Sequence, residues 1–235
     1  MYLSLMRYNE YELNTLPYDR AILIDKRSYI IFYFSLLKTK HLFMFSFYPS
    51  NDYNSSIIKI FLFFFSFTIY FTINGLFFDD ATMHRIYEDR GSFNFIYQIP
   101  QIIYSFLISS ILNSLIKSLS LSEKNILILK QEKNIENLEK KARETLECLY
   151  YKFISFFITS FILLLFFWYY LGCFCAVFQN TQLHLIKDSL ISFGLTLLYP
   201  ILLYLIPGIF RIPALRAEKK DRETMYKFSK IIQLI

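Results

Sequence analysis

The sequence predicts an all-α protein that crosses a membrane four times, with an interfacial helix pair before the first span, a long cytosolic helix between spans two and three, and a closing amphipathic helix. Three observations carry that expectation. Four apolar runs, 57–78, 95–116, 153–178 and 190–210, hold 21 to 26 residues each. At ~1.5 Å per residue they give roughly 32–39 Å of helix, enough to cross a hydrocarbon core with some tilt. From Ile60 onward the first run holds no Asp, Glu, Lys, Arg or His, and the other three hold none at all. Finally, the 25 Lys and Arg residues divide by side: seven lie in 1–59, eight in 117–152 and seven after Phe210, while the two remaining loops hold only Arg85, Arg90 and Lys187. The positive-inside rule then places both termini and the middle loop in the cytosol.

The resulting organisation is an N-terminal region 1–56, a transmembrane domain 57–210 with its cytosolic loop 117–152, and a tail 211–235. A net charge of +6 would suit nucleic acid, but the basic residues cluster beside the spans, where anionic lipid attracts each by about 1 kcal/mol. The expected partner is the lipid bilayer, with no nucleic acid. The stretch before Arg7 is too short for a secretory signal, so the first span is expected to direct its own insertion.

In the N-terminal region, 29–37 and 42–48 are strongly apolar, yet Lys38, Lys40 and His41 stand between them. Two lysines at mid-bilayer would cost about 2.5–3.5 kcal/mol each, and a fifth span would send Arg7, Arg20, Lys26 and Arg27 outside. A bent interfacial pair is expected instead. Pro49, Ser50, Asn51 and Asp52 form a turn before the first span.

The first external loop carries Asp79, Asp80, His84, Glu88 and Asp89. On a helix Asp80, His84 and Glu88 share one face at i, i+4, i+8, a weak metal-ligand pattern without a second His or Cys. Acidic external loops are ordinary, and no metal is expected. The other external connection, 179–189, with His184, Lys187 and Asp188, is read as a plain link.

In the second span Ser105, Ser109 and Asn113 recur every four residues beside Gln98, Gln101 and Ser114. Such a stripe serves helix packing or, in an oligomer, lines a water-filled path. Pro100 lies in the first turn; Pro200 lies mid-span in the fourth and is expected to kink it. Trp168, Tyr169 and Tyr170 fit an aromatic anchor.

From Ser120 to Tyr150 the middle loop reads as a helix, with a capping box at Ser120 and Glu123 and favourable pairs Glu136–Lys140 and Glu139–Arg143. Leu121, Ile128, Ile135, Leu138, Ala142, Thr145 and Leu149 form a heptad stripe, suited either to a coiled coil with a second copy or to docking on the N-terminal region. Past Pro207, Gly208 and Pro213 the tail places Met225, Phe228, Ile232 and Ile235 on one face among lysines, a helix for a membrane surface or a partner. The stretches 121–149 and 225–235 are thus the expected contacts with another copy or a membrane complex.

No nucleophile–base pair, phosphate loop or metal motif is present, and the span interiors lack the charges of a proton carrier or voltage sensor. Cys148, Cys173 and Cys175 cannot build a disulfide framework; the last two read as small packing residues and the first as a buried thiol or acylation point. Neither catalysis nor a cofactor is expected.

Four blocks carry a resemblance: Asp25-Lys26-Arg27; Asn51-Asp52-Tyr53-Asn54; 79–105 with Met83-His84 and Tyr97-Gln98-Ile99-Pro100-Gln101; and 185–216. They resemble a transmembrane module of uncharacterised multi-pass membrane proteins of protists, where it often stands at the C-terminal end of a much larger protein. The resemblance implies a short relative or part of a longer product, and no activity, ligand or catalytic residue. The expected function is a structural, anchoring or complex-assembly role; the alternative is a subunit of an oligomeric cation channel or transporter.

Overall fold

A computed structural model describes residues 8–50, 52–78, 80–88, 95–131, 135–178, 181–216 and 222–233. Asn51, Asp79, Asp89, Arg90 and Ile235 lie outside the described residues, as do the side chains of Ile135 and Glu136. Among the described residues the chain is all-helical, and four helical stretches are long and apolar enough to cross a membrane: Ser56–Leu76, Ile96–Ser120, Leu138–Val177 and Gln182–Arg216, the last broken at Tyr204. Two compact units form, a terminal unit of Met1–Lys59 with Leu197–Ile235 and a central unit of Ile60–Thr196.

In the terminal unit, α1 (Glu10–Thr15) opens on a reciprocal cap: Asn9 Oδ1 accepts from the Glu12 amide at 2.8 Å, and the Asn9 amide donates to Glu12 Oε2 at 3.0 Å. After α2 (Tyr18–Ile24) comes the pair read from the sequence, α3 (Tyr29–Lys40) and α4 (Leu42–Phe47). The break falls at His41, whose Nδ1 caps α4 by accepting from the Met44 amide. Neither helix is long enough to span.

The tail does not stand apart as the linear division 211–235 implies. Leu13, Leu16, Tyr18 and Ala21 form one core with Ala214, Leu215 and Tyr226, which lie on or beside α11 (Leu205–Arg216) and α12 (Glu223–Ile232). The buried face of α12 is also rotated from the one its apolar residues suggest. Tyr226, Ser229 and Ile232 are buried, whereas Phe228 is half exposed with its ring edge-on to Phe210. The reason is polar: Tyr226 Oη donates to Leu16 O and Ser229 Oγ to Pro207 O.

The fourth apolar run is not one helix. The helix α10 (Gln182–Leu203) holds Pro200 without breaking there, and stops four residues later at Tyr204. Pro207 explains the position, since it has no N–H for the Leu203 carbonyl and its ring crowds that carbonyl. Helix α3 and the His41 that follows it line this stretch: His41 Nε2 lies 2.7 Å from Leu197 O, Tyr33 Oη donates to Ile201 O at 3.1 Å, and Tyr29 Oη donates to Leu205 O at 2.7 Å. Gly208 permits the approach, because a Cβ there would meet the Tyr29 ring at 2.6 Å.

In the central unit, α5 (Ser56–Leu76) and the 26-residue α7 (Phe95–Ser120) flank α6 (Asp80–Glu88). The middle loop departs from its expected form. Ser120 ends α7 with its hydroxyl on Lys117 O, so it does not cap the next helix. After α8 (Glu123–Gln131), the second part of the loop and the third span make one 43-residue helix, α9 (Ile135–Val177). The heptad stripe is therefore split between α8 and α9, which pack on each other: Lys152 Nζ donates to Leu121 O, and Asn125 Nδ2 to Cys148 Sγ. Ile128 and Leu138 remain exposed. Further along α9, Phe157, Phe161, Leu165 and Trp168 are at least half exposed, apolar surface of the kind a bilayer covers. Tyr169 is exposed too, whereas Tyr170 turns inward and donates to Gly75 O at 2.8 Å.

Candidate functional site

Of the predicted stripe in the second span, Asn113 bonds to the first span. On α5, Ser66, Tyr70 and Asn74 are spaced by four and share a face. Running the opposite way on α7 are Asn113, Ser110 and Gln101. Ser66 Oγ donates to Asn113 Oδ1 at 2.7 Å, the Tyr70 and Ser110 hydroxyls pair at 3.1 Å, and Gln101 Nε2 reaches Asn74 O at 3.4 Å. Ser105 and Ser109 of α7 are wholly buried, with no hydrogen-bond partner for their hydroxyls among the described residues. Small buried residues suit close approach of helices, and the helix that α7 approaches closely is α9.

One end of the seam meets a third helix. Asn74 Nδ2 is tied to Tyr70 O at 2.7 Å, which leaves Asn74 Oδ1 to accept from Ser192 Oγ of α10 at 3.1 Å. Gln101 Nε2 also reaches Asp188 Oδ2, at 3.3 Å. Asp188 and Ser192 stand one turn apart on α10 and both are at 0% exposure. No ion pair reaches Asp188 among the described residues, and its Oδ1 and the neighbouring Ser189 Oγ have no hydrogen-bond partner there. A plain external link was the expectation for 179–189. The helix instead starts at Gln182, and His184, Asp188 and Ser189 enter the bundle before the apolar run begins. Their polarity hid them, since an apolar run ends at its first ionisable residue; the i, i+4 spacing of Asp188 with Ser192 was the available signal.

The acidic triplet forms the expected helix, but His84 and Glu88 pair at 3.1 Å on the surface, with 71% and 61% of their side chains exposed. Among the described residues no three His, Cys, Asp or Glu side chains converge as a metal site, so Asp80, His84 and Glu88 are not brought together. Cys148 and Cys173 are exposed thiols, where burial was expected for the first. The pair Glu139–Arg143 is formed at 2.7 Å on open surface.

The terminal unit holds a second buried polar group, missed in the sequence. Asp25 accepts from Arg27 Nε at 2.7 Å and Nη2 at 2.9 Å, and from Arg211 Nη2 at 2.8 Å and Nε at 3.2 Å. Arg27 Nη1 donates to Asn14 Oδ1 and Ser35 Oγ; Arg211 donates to the Leu13 and Asn14 carbonyls and lies against the Phe32 and Tyr226 rings. Burial pushes the Asp25 carboxyl up, but the hydrogen bonds and charges of Arg27 and Arg211 outweigh it and hold the group below its ordinary value. Arg211 is fully buried and its partner Asp25 is 186 positions away, a distance over which sequence spacing carries no signal. Burial raises Tyr226 and lowers Lys230, the latter helped by repulsion from Arg211.

No protein-family model, curated protein or solved structure matches this chain.

Proposed function

We propose that this protein is an integral, multi-pass membrane protein with a structural role: it anchors or assembles a membrane complex and catalyses no reaction. Both termini lie in the cytosol, on the charge distribution of the sequence. The observation that supports the role is the use of the second-span stripe within one chain. Asn113 of that stripe and the neighbouring Ser110 are engaged by Ser66 and Tyr70 of the first span, so their hydrogen bonds serve packing instead of lining an open path. The terminal unit, clamped by Asp25 and Arg211, and the hairpin of α8 and α9 with its exposed Ile128 and Leu138 supply the surfaces for partners or for a second copy. The likeness to a protist membrane module accords with such a part and adds no ligand.

One observation favours the alternative, a cation channel or transporter subunit. Asp188 is a buried carboxylate with no cation beside it among the described residues, and ionisable groups inside helical bundles commonly mark ion paths. Purified protein in liposomes separates the readings. The structural role expects no cation flux above empty vesicles, and Asn113→Leu altering the oligomer distribution on a native gel. Flux that Asn113→Leu abolishes without changing assembly would replace it with the channel.

A further inference from the structure

Asp188 stands in the second turn of α10, where Leu183, Ile186 and Leu190 already present exposed apolar surface of the kind a bilayer covers. The opposite side of the helix is polar and closed, with His184, Asp188, Ser189 and Ser192 all buried. We propose that Asp188 is a proton-binding site: the carboxyl carries its proton at neutral pH and joins α10 to α7 as a neutral acid.

A carboxylate removed from water needs donors or a counter-charge, and one left without them neutralises instead. Asp188 receives one hydrogen bond, from Gln101 Nε2 to Oδ2 at 3.3 Å, and that amide is shared with Asn74 O at 3.4 Å. The other donors at this level are spent: Asn74 Nδ2 on Tyr70 O, and Ser192 Oγ on Asn74 Oδ1. The hydroxyl of the adjacent Ser189 has no hydrogen bond among the described residues, so it does not supply one. Asp188 Oδ1 is left with neither a donor nor accessible surface. The ionisable side chains nearest in the fold are His184, one turn outward on α10, the half-buried Lys187, and Tyr170 of α9, whose hydroxyl donates to Gly75 O; those facing it from α5 and α7, Asn74 and Gln101, are neutral. Asp188 forms an ion pair with none of them among the described residues.

Protonation resolves this shortage of donors. It turns Oδ1 into an O–H donor and leaves Oδ2 to accept from Gln101, so the contact between α7 and α10 survives while the uncompensated charge is gone. Gln98 Oε1, one turn outward of Gln101 on α7, is a further buried acceptor without a donor, which again favours an acid over an anion. A proton also suits an oxygen without accessible surface, because it needs no cavity of its own. A metal ion needs several ligands around it, and among the described residues no three His, Cys, Asp or Glu side chains converge. The site does not rest on the structural role proposed above: cation flux decides that role, and the state of one carboxyl decides this one.

The test is infrared difference spectroscopy of the full chain reconstituted in liposomes, wild type against Asp188→Asn. At pH 7 the wild type should show the C=O band of a protonated carboxyl, shifted in heavy water, and Asp188→Asn should remove one carboxyl's share of it. Exposed carboxyls add to that band only as pH falls to about 4. Absence of the band at pH 7, or a band that Asp188→Asn leaves at full size, overturns the proposal. So does a carboxylate signal at pH 7 that moves when sodium replaces a bulky organic cation in the buffer, since a metal ion would then hold the charge. Should Asp188→Asn fail to fold, Asp188→Glu decides: a displaced band supports the site, and an unmoved one overturns it.

Discussion

The carboxylates of Asp25 and Asp188 are buried to nearly the same depth and treated in opposite ways. Asp25 in the terminal unit receives four hydrogen bonds from two guanidinium groups, while Asp188 in the central unit receives a single one, from a neutral amide. An uncompensated buried charge is far more costly than a paired one. The arginine pair around Asp25 joins segments from the two ends of the chain into one unit. Asp188, by contrast, contributes a polar contact between α7 and α10 and leaves one oxygen spare.

The largest effect should come from removing one partner at the compensated site. Arg211→Met leaves Asp25 with Arg27 alone and strips hydrogen bonds from the Leu13 and Asn14 carbonyls, a loss of about 3–5 kcal/mol. Limited proteolysis of the detergent-solubilised protein should then cut first within residues 8–50. Protection there equal to wild type would mean the clamp is ornamental.

Acid should act on the same group more gradually. Because the folded carboxyl sits below its ordinary value of 3.8, its stabilisation is fully present above that value and is lost as pH falls through the lower, folded one. The unfolding midpoint of the terminal unit, followed by tyrosine fluorescence, should therefore hold steady down to about pH 4 and fall below it. In Arg211→Met that acid step should shrink.

Smaller effects sharpen the contrast between charge and packing. Gly208→Ala drives a methyl into the Tyr29 ring and should cost about 1–3 kcal/mol by overpacking, whereas Tyr29→Phe, which loses only the bond to Leu205 O, should cost about 1 kcal/mol. Reversal of that order in thermal melts would mean that the hydroxyl, not the close approach, fixes α3 beside α11. At the seam of the central unit, Asn113→Leu should cost about 0.6 kcal/mol, the average for a hydrogen bond between membrane helices.

The spans were legible because length and apolarity are local properties, and the break at His41 was legible because two lysines do not belong at mid-bilayer. What pairs at long range was not. The Asp25–Arg211 clamp depends on a fold that brings residue 211 back to residue 25, and nothing in the local pattern around either position marks it. Asp188 was misplaced for a related reason: hydropathy ends a span at the first charge, whereas the helix continues through it and buries it. On α12 the face was misjudged because apolar spacing ranked Phe228 above Tyr226, and the hydroxyl bond from Tyr226 to Leu16 O decided the rotation. The stripe of Ser105, Ser109 and Asn113 was read from spacing alone, whereas Ser66, the partner of Asn113, carried no such signal.

The most direct measurement compares thermal unfolding of Asp25→Asn and Asp188→Asn in the same detergent. Both substitutions keep the shape of the side chain and remove its charge. Asp25→Asn should lower the midpoint by about 10 °C, because it leaves two buried guanidinium groups without their counter-charge. Asp188→Asn keeps the acceptor for Gln101 Nε2 and should leave the midpoint unchanged or raise it. A comparable loss at Asp188 would contradict the structural reading: the carboxylate would then be charged and held by a bound cation, and the central unit would be an ion site.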